Sequence, residues 1–239
     1  LYQIKPPLPF VPGSEIAGTV TEVGDSVDGW TVGDRAVASV GLGGFASEVV
    51  VSPGQAVKLP DGIDFARAAT FGQSYCTAWF SLTRRISLQE SESLLVLGAS
   101  GGVGLASIDV GLALGATVIA AASSSERLDA CASMGAHHLI DYHAEALKDR
   151  ARELAGGGVD VVVDPVGGTF SEQALRATGH NGRLLVIGFA SGDIPRLPTN
   201  QVLLRNRQVI GVDWGAWALA HPDENGLLLA ELLDRVATG

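Results

Sequence analysis

The groups in this chain best suited to chemistry are backbone amides rather than side chains, in the cluster Gly98-Ala99-Ser100-Gly101-Gly102-Val103-Gly104 that closes the apolar run Leu94 to Leu97. A chain that leaves a strand and enters a helix through glycines points free N–H groups and the positive end of the helix dipole at one spot, which suits a pyrophosphate. The candidate contacts are Ser100, Gly101, Gly102, Val103 and Gly104. Alanine stands where the strict dinucleotide fingerprint has its first glycine, and such loops also occur as plain turns. Both readings stay open on the cluster alone.

About 20 residues beyond such a cluster, an NAD binder carries an acidic residue for the ribose 2′-hydroxyl. This chain instead has Ala121-Ala122-Ser123-Ser124-Ser125, with Arg127 one helical turn further on. Hydroxyls and a guanidinium hold a 2′-phosphate that a carboxylate would repel, so the spacing favours NADPH. Ser123-x-x-Glu126 also reads as a helix capping box, leaving Ser124 and Arg127 as the better phosphate candidates. His137 and His138 follow a helix-ending glycine and read as loop residues. Cys76 and Cys131 are far apart, match no metal spacing, and read as free thiols of a reducing cytoplasm.

The elements that must position these groups are legible around them. Leu94–Leu97 is a continuous apolar run, as in a strand buried on both faces. Val103, Ala106, Ser107, Val110 and Leu114 fall at helical spacing, and Thr117–Ala121 supplies the second strand of a βαβ unit. Ala144–Ala155 reads as a charged amphipathic helix. Val159–Asp164 is another buried strand, ending at Pro165-Val166-Gly167-Gly168, and Gly182–Gly192 repeats the design with Gly188, Phe189, Ala190 and Ser191 beyond its apolar core. Strand ends on one side of a parallel sheet build a ligand crevice, so these loops face one ligand. Asn206–Val212 makes a last strand, and Pro222–Ala237, with Leu227, Leu228, Leu232, Leu233 and Val236, an amphipathic helix expected to pack on that sheet. Upstream, Ile16–Val23, Ala36–Val40, Phe45–Val51 and Val57–Leu59 read as short strands punctuated by Gly and Pro, a small β domain.

At 239 residues and 46% hydrophobic content the chain can bury one large or two medium cores. No run reaches the roughly 18 unbroken apolar residues of a bilayer span. A net charge of −10 with 16 basic residues provides no footprint for nucleic acid or an anionic membrane.

Pro12-Gly13-Ser14-Glu15-Ile16-Ala17-Gly18, Val23-Gly24, Gly33-Asp34-Arg35, Gly43-Gly44-Phe45-Ala46 and Leu59-Pro60 follow one another in an order that resembles the medium-chain dehydrogenase/reductase superfamily, most closely its zinc-free quinone oxidoreductase branch. The resemblance implies an α/β fold, a Rossmann doubly wound parallel sheet joined to a partial GroES-like β domain, with substrate in the cleft between. It also implies that strands before Leu1 and after Gly239 are missing. Zinc-dependent relatives have histidine where this chain has Ser14, a poor zinc ligand, and carry a four-cysteine lobe where only a short loop separates Val40 from Phe45, so no metal is expected. By resemblance Thr77 sets a hydroxyl near the nicotinamide, Tyr75 lines the substrate cleft or packs, and Tyr142 lies near the adenosine. Val166 and Gly167 flank the nicotinamide ribose, Gly188 to Ser191 touch the carboxamide, and Trp214 meets cofactor, substrate or a second subunit.

The expected domains are 1–63 (GroES-like), 64–212 (Rossmann) and 213–239, a loop and helix packing on the Rossmann domain or leading back to the first. The expected function is an NADPH-dependent, zinc-independent, cytoplasmic and homodimeric reductase of a quinone or an α,β-unsaturated carbonyl. No general acid stands out, and a quinone can take its proton from solvent. Two rivals remain: an enoyl-thioester reductase, for which Arg196, Arg205 and Arg207 would supply a basic entrance, and a non-catalytic NADPH-binding sensor or structural protein.

Overall fold

The computed structural model describes residues 5–238; Leu1, where the sequence reading begins its first domain, lies outside them. The chain divides into two units. One is Thr77–Asp213, and the other joins the chain through Cys76 to the chain from Trp214 onward.

In the second unit, β1 (Glu15–Thr19), β2 (Arg35–Ser39) and β3 (Ala56–Lys58) form an antiparallel sheet in sequence order. Arg35 fastens it to the segment that follows, donating to the Pro60 carbonyl at 2.8 Å and to the Ile63 carbonyl, with its guanidinium 4.8 Å from the centre of the Phe65 ring. A short α1 (Phe65–Ala68), capped by the Asp64 carboxylate, leads into α2 (Gly72–Trp79), which crosses into the first unit and runs on as a widened π turn, Phe80–Arg85.

The first unit alternates strand and helix: β4 (Ser93–Leu97), α3 (Gly102–Ala113), β5 (Thr117–Ala122), α4 (Ser125–Ser133), β6 (His138–Asp141), α5 (Leu147–Leu154), β7 (Val159–Asp164), α6 (Gly168–Ala177), β8 (Thr178–Val186), α7 (Thr199–Leu203) and β9 (Gln208–Gly211). All neighbours are parallel, in the order β6-β5-β4-β7-β8-β9. That is the 3-2-1-4-5-6 arrangement, whose direction reverses between β4 and β7. Every residue of β4 is buried, as a strand covered on both faces requires. Small residues let α3 lie close on the sheet: a Cβ on Gly111 would sit 2.5 Å from Leu94 Cδ2. The amino-terminal edge of the sheet is pinned by polar pairs. Asp160 accepts from the Ser93 amide and hydroxyl at 2.8 and 2.7 Å, and Arg183 pairs with Glu92.

The chain closes with α8 (Trp214–Ala220) and α9 (Pro222–Thr238) in the second unit. Leu228, Leu229, Leu232 and Leu233 are buried, and α9 packs against β3 and the Pro53–Gln55 turn rather than the parallel sheet. An apolar stripe tells that a helix has a buried face, not which sheet receives it; Leu227, expected within the stripe, is 72% exposed. Other elements also differ from expectation: the strand read over Ile16–Val23 stops at Thr19, and the loop expected after residue 213 is the helix α8. Phe45–Val51 forms no strand: at its start the Phe45 amide bonds the Pro12 carbonyl and that of Gly44 the Gly13 carbonyl, far upstream in the chain, and Phe45 and Val50 are left in solvent. The charged helix begins at Leu147 instead of Ala144, since the amides of Ala144 and Glu145 turn back to the Asp141 carbonyl.

Candidate nucleotide-binding site

Three turns at the carboxyl ends of β4, β7 and β8 come together in the first unit. After β4 the backbone takes a positive φ of 55° at Gly98, not at Ala99, which is fully buried and bonds the Ala121 carbonyl through its amide at 3.0 Å. The alanine is therefore no defect in the fingerprint, since the turn's conformational demand falls one residue earlier. Gly101 is the N-cap of α3 and offers no side-chain oxygen, so the first amides of that helix, on Gly102, Val103 and Gly104, have neither an intrahelical nor a capping acceptor. A Cβ on Gly104 would lie 2.5 Å from the Gly98 carbonyl oxygen and 2.6 Å from that of Ala99, so only glycine lets the helix start this close to the turn.

The turn after β7 abuts it. A Cβ on Gly98 would reach 2.8 Å from Val166 Cγ2. The amides of Ala190 and Ser191 donate to the carbonyls of Pro165 and Val166 at 3.1 and 2.9 Å, and Gly168 donates to Asp193 at 3.0 Å. Ser100 to Gly104, Val166, Gly167 and Gly188 to Ser191 thus form one continuous rim at the point where the strand order reverses. Sequence reasoning passed over the residue that organises it: Asp164, 1% exposed, whose carboxylate accepts from the amides of Val166 and Gly167 at 2.9 Å each and from the Ser171 hydroxyl. An Asp that ends a buried strand reads as a solvated turn residue, and only its low exposure says otherwise.

At the end of β5 the structure reassigns the cap. Ser124, not Ser123, accepts from the Arg127 amide at 3.4 Å and starts α4. Ser123 is left half-buried beside it, and Arg127 is exposed and pairs with no carboxylate among the described residues. Tyr142 joins this group, its amide donating to the Ala122 carbonyl at 3.1 Å while its ring lies 4.4 Å from that of Phe170. His137 accepts from the Val118 amide through Nδ1 at 3.0 Å and lies in the loop as expected, whereas His138 opens β6, paired with Ile119.

The other expected residues are Thr77, Tyr75 and Trp214. Thr77 is buried at the start of the first unit, with its carbonyl accepting from the Ser81 hydroxyl at 2.6 Å. Tyr75 and Trp214 belong to the second unit. Tyr75 stacks on Phe71 at 4.4 Å and lines a cavity of about 450 Å³ with Arg67, Thr70 and Leu233. Trp214 is 6% exposed, and its indole donates to Asn225 at 3.0 Å. Next to Ser14, Glu15 accepts from the Gln73 amide at 2.9 Å. Among the described residues no group of three or more His, Cys, Asp or Glu side chains is arranged to hold a metal.

Comparison with known proteins places this geometry. The family model described as zinc-binding dehydrogenase matches residues 102–231, and that of the alcohol dehydrogenase GroES-like domain matches residues 2–61. A quinone oxidoreductase-like protein 2 homolog of Nematostella vectensis is 39% identical over 98% of this chain and 64% of its own length. The chain belongs to the quinone oxidoreductase branch of the medium-chain dehydrogenase/reductase superfamily. Within that superfamily, the solved Escherichia coli quinone oxidoreductase complexed with NADPH superposes with a TM-score of 0.90 at 28% identity, covering 99% of this chain and 73% of that one. The CurK enoyl reductase superposes with a TM-score of 0.84 at 27% identity, covering 96% and 69%. The chain spans 64% of the length of the curated relatives such as the Nematostella protein. The six-stranded sheet and the small antiparallel sheet are the superfamily's Rossmann and GroES-like parts.

Proposed function

We propose that this chain is part of an NADPH-dependent, zinc-independent reductase that delivers hydride to a quinone or an α,β-unsaturated carbonyl. The observation that carries the reading is the continuous rim of three turns at the sheet's reversal point, with uncapped α3 amides at one end and, beyond β5, hydroxyls and a free guanidinium in place of a carboxylate. Those residues fit a dinucleotide with a 2′-phosphate. The amides of Gly102 to Gly104 would hold the pyrophosphate, Ser123 and Arg127 the 2′-phosphate, Tyr142 the adenosine flank, and Val166, Gly167 and Gly188 to Ser191 the nicotinamide side. When bound, NADPH supplies a hydride; the chain's task is to orient it. The donor set does not fit zinc, because the hydroxyl of Ser14 is a weak ligand and its neighbour Glu15 is tied to the Gln73 amide. The reading extends to cytoplasmic work as a homodimer; β9, at the edge of the sheet with Val209 40% exposed, offers a second copy a free strand.

Of the basic entrance expected for the enoyl-thioester reading, Arg196 and Arg205 are exposed and Arg207 is not. Arg207 is 6% exposed and donates to the carbonyls of Thr178 and Gln201 at 3.0 Å, a structural role that removes it from any entrance. A binding titration of NADPH against NADH tests the proposal. NADPH should bind at least about tenfold tighter, within the ~1.5–3 kcal/mol of hydrogen bonds to a charged group. Arg127→Ala should remove most of that gap while leaving NADH affinity unchanged. Equal affinity for the two nucleotides would overturn the phosphate assignment. Optical assay of NADPH oxidation by a simple quinone separates the reductase from a non-catalytic binder.

A further inference from the structure

The rim is held by one residue that need not touch any ligand. Asp164 ends β7 with both carboxylate oxygens engaged: Oδ1 takes the amides of Val166 and Gly167, and Oδ2 takes the hydroxyl of Ser171, which is fully buried in the first turn of α6. Its own carbonyl accepts from the amides of Ile187 and Gly188 at 3.0 and 3.3 Å, just past β8. Five donors from three segments therefore converge on one residue. The loop they hold has no slack. Gly167 sits at a φ of 76° with a would-be Cβ 2.8 Å from the Asp193 carbonyl oxygen, and Gly168 at a φ of 62° with one 3.0 Å from the Ser191 Oγ. Small errors in where the loop starts thus become errors in where the rim lies.

We propose that Asp164, braced by Ser171, is a positioning residue that fixes the backbone of Val166, Gly167 and Gly188 on the nicotinamide side of the crevice. The proposal rests on the NADPH reading given above. Its chemistry asks for a carboxylate. All three side-chain partners are donors, so both oxygens must accept, and an amide in their place turns an N–H toward the Ser171 hydroxyl. The Ser171 hydroxyl can reverse to accept, but its own hydrogen then lacks the carboxylate, and the loop loosens without the strand unfolding. On the adenine side, Ser123 and Arg127 at the end of β5 take no hydrogen bond from this residue, and Tyr142 meets α6 only through the ring of Phe170.

That division gives the test. Affinities for NADPH and for 2′,5′-ADP, which carries the adenine half alone, are measured on the wild-type chain and on Asp164→Asn, Asp164→Ala and Ser171→Ala, with amide hydrogen exchange at Val166 and Gly167 in the unliganded proteins. Asp164→Asn is expected to weaken NADPH about tenfold, in the range for hydrogen bonds to a charged group, and to leave 2′,5′-ADP within about twofold. Val166 and Gly167 should lose protection while exchange in β4 and β5 is unchanged. Ser171→Ala should move the same readouts less, and it keeps the test available should Asp164→Ala not fold. Equal loss of both ligands, or no loss of either with wild-type exchange, would overturn the positioning role while leaving the NADPH reading intact. A wild-type chain that binds 2′,5′-ADP no better than 5′-ADP, and NADPH not at all, would overturn both.

Discussion

Burial pushes the Glu15 carboxyl above the ordinary carboxylate range, although its bond from the Gln73 amide pulls the other way. A carboxyl whose folded pKa is raised binds more protons folded than unfolded. Stability therefore falls as pH climbs from its ordinary value through the raised one, and the full penalty is present at neutral pH. Glu15→Gln keeps an oxygen for the Gln73 amide and removes the charge. The expected result is a melting temperature at pH 7 equal to or above wild type, with the difference shrinking as the pH drops toward 4, read by thermal denaturation across that range; a variant that melts lower at pH 7 would contradict it. The same charge acts on Cys76. Burial first, and Glu15 second, push its thiol up to about 12, and burial also raises that of Cys131. Thiolate is the reactive form, so neither cysteine of the native chain should react promptly with an aromatic disulfide reagent at pH 8, while both react once the chain is unfolded.

Gly104 shows what an element demands of a residue. The carbonyl oxygens of Gly98 and Ala99 are backbone and cannot swing away from an added Cβ 2.5 Å off, so Gly104→Ala must push the start of α3 out of the turn. Overpacking of this kind costs about 1–3 kcal/mol, and the amides of Gly102 and Val103 move with it. Urea denaturation should show that loss together with weakened NADPH binding, whereas Gly102→Ala, on an exposed position, should cost far less stability. The β4-α3-β5 unit was readable from sequence because its pattern is local: a buried run, glycines at fixed offsets and a small-residue helix face. What depended on distant partners was not. The stripe of α9 gave a buried face without its partner sheet, and the apolar letters of Phe45–Val51 suggested a strand where the amides of Gly44 and Phe45 bond Gly13 and Pro12 far upstream; among local features, the cap of α4 lay one serine later than the Ser-x-x-Glu spacing indicated. Asp164 was invisible as an organiser because its five donors come from segments up to about two dozen residues away, none of which marks the aspartate itself.

Across the first unit the two edges of the parallel sheet divide the labour. The amino-terminal edge carries side-chain clamps, Ser93 with Asp160, Glu92 with Arg183, and Arg207 on the carbonyls that end α6 and begin β8. The carboxyl edge carries glycine turns that bond one another, and only the one opening α3 leaves amides, those of Gly102, Val103 and Gly104, without an acceptor. Such an arrangement makes that edge the part of the unit with most to gain from a ligand, since anything that binds only the folded state stabilises it by RT ln(1 + [L]/Kd), about 2.7 kcal/mol at a hundredfold excess over Kd. NADPH at that excess should therefore slow amide exchange most in the turns at Gly98–Gly104, Pro165–Gly168 and Gly188–Ser191, and raise the opening free energy of β4, β5 and β7 by up to that amount. Protection in β1 to β3, which belong to the other unit, should rise less. Peptide-resolved exchange on the intact chain, with and without nucleotide, reads this directly. An equal gain in both units would mean that they open as a single cooperative body, and a gain confined to β1 to β3 would put the nucleotide on the wrong unit altogether.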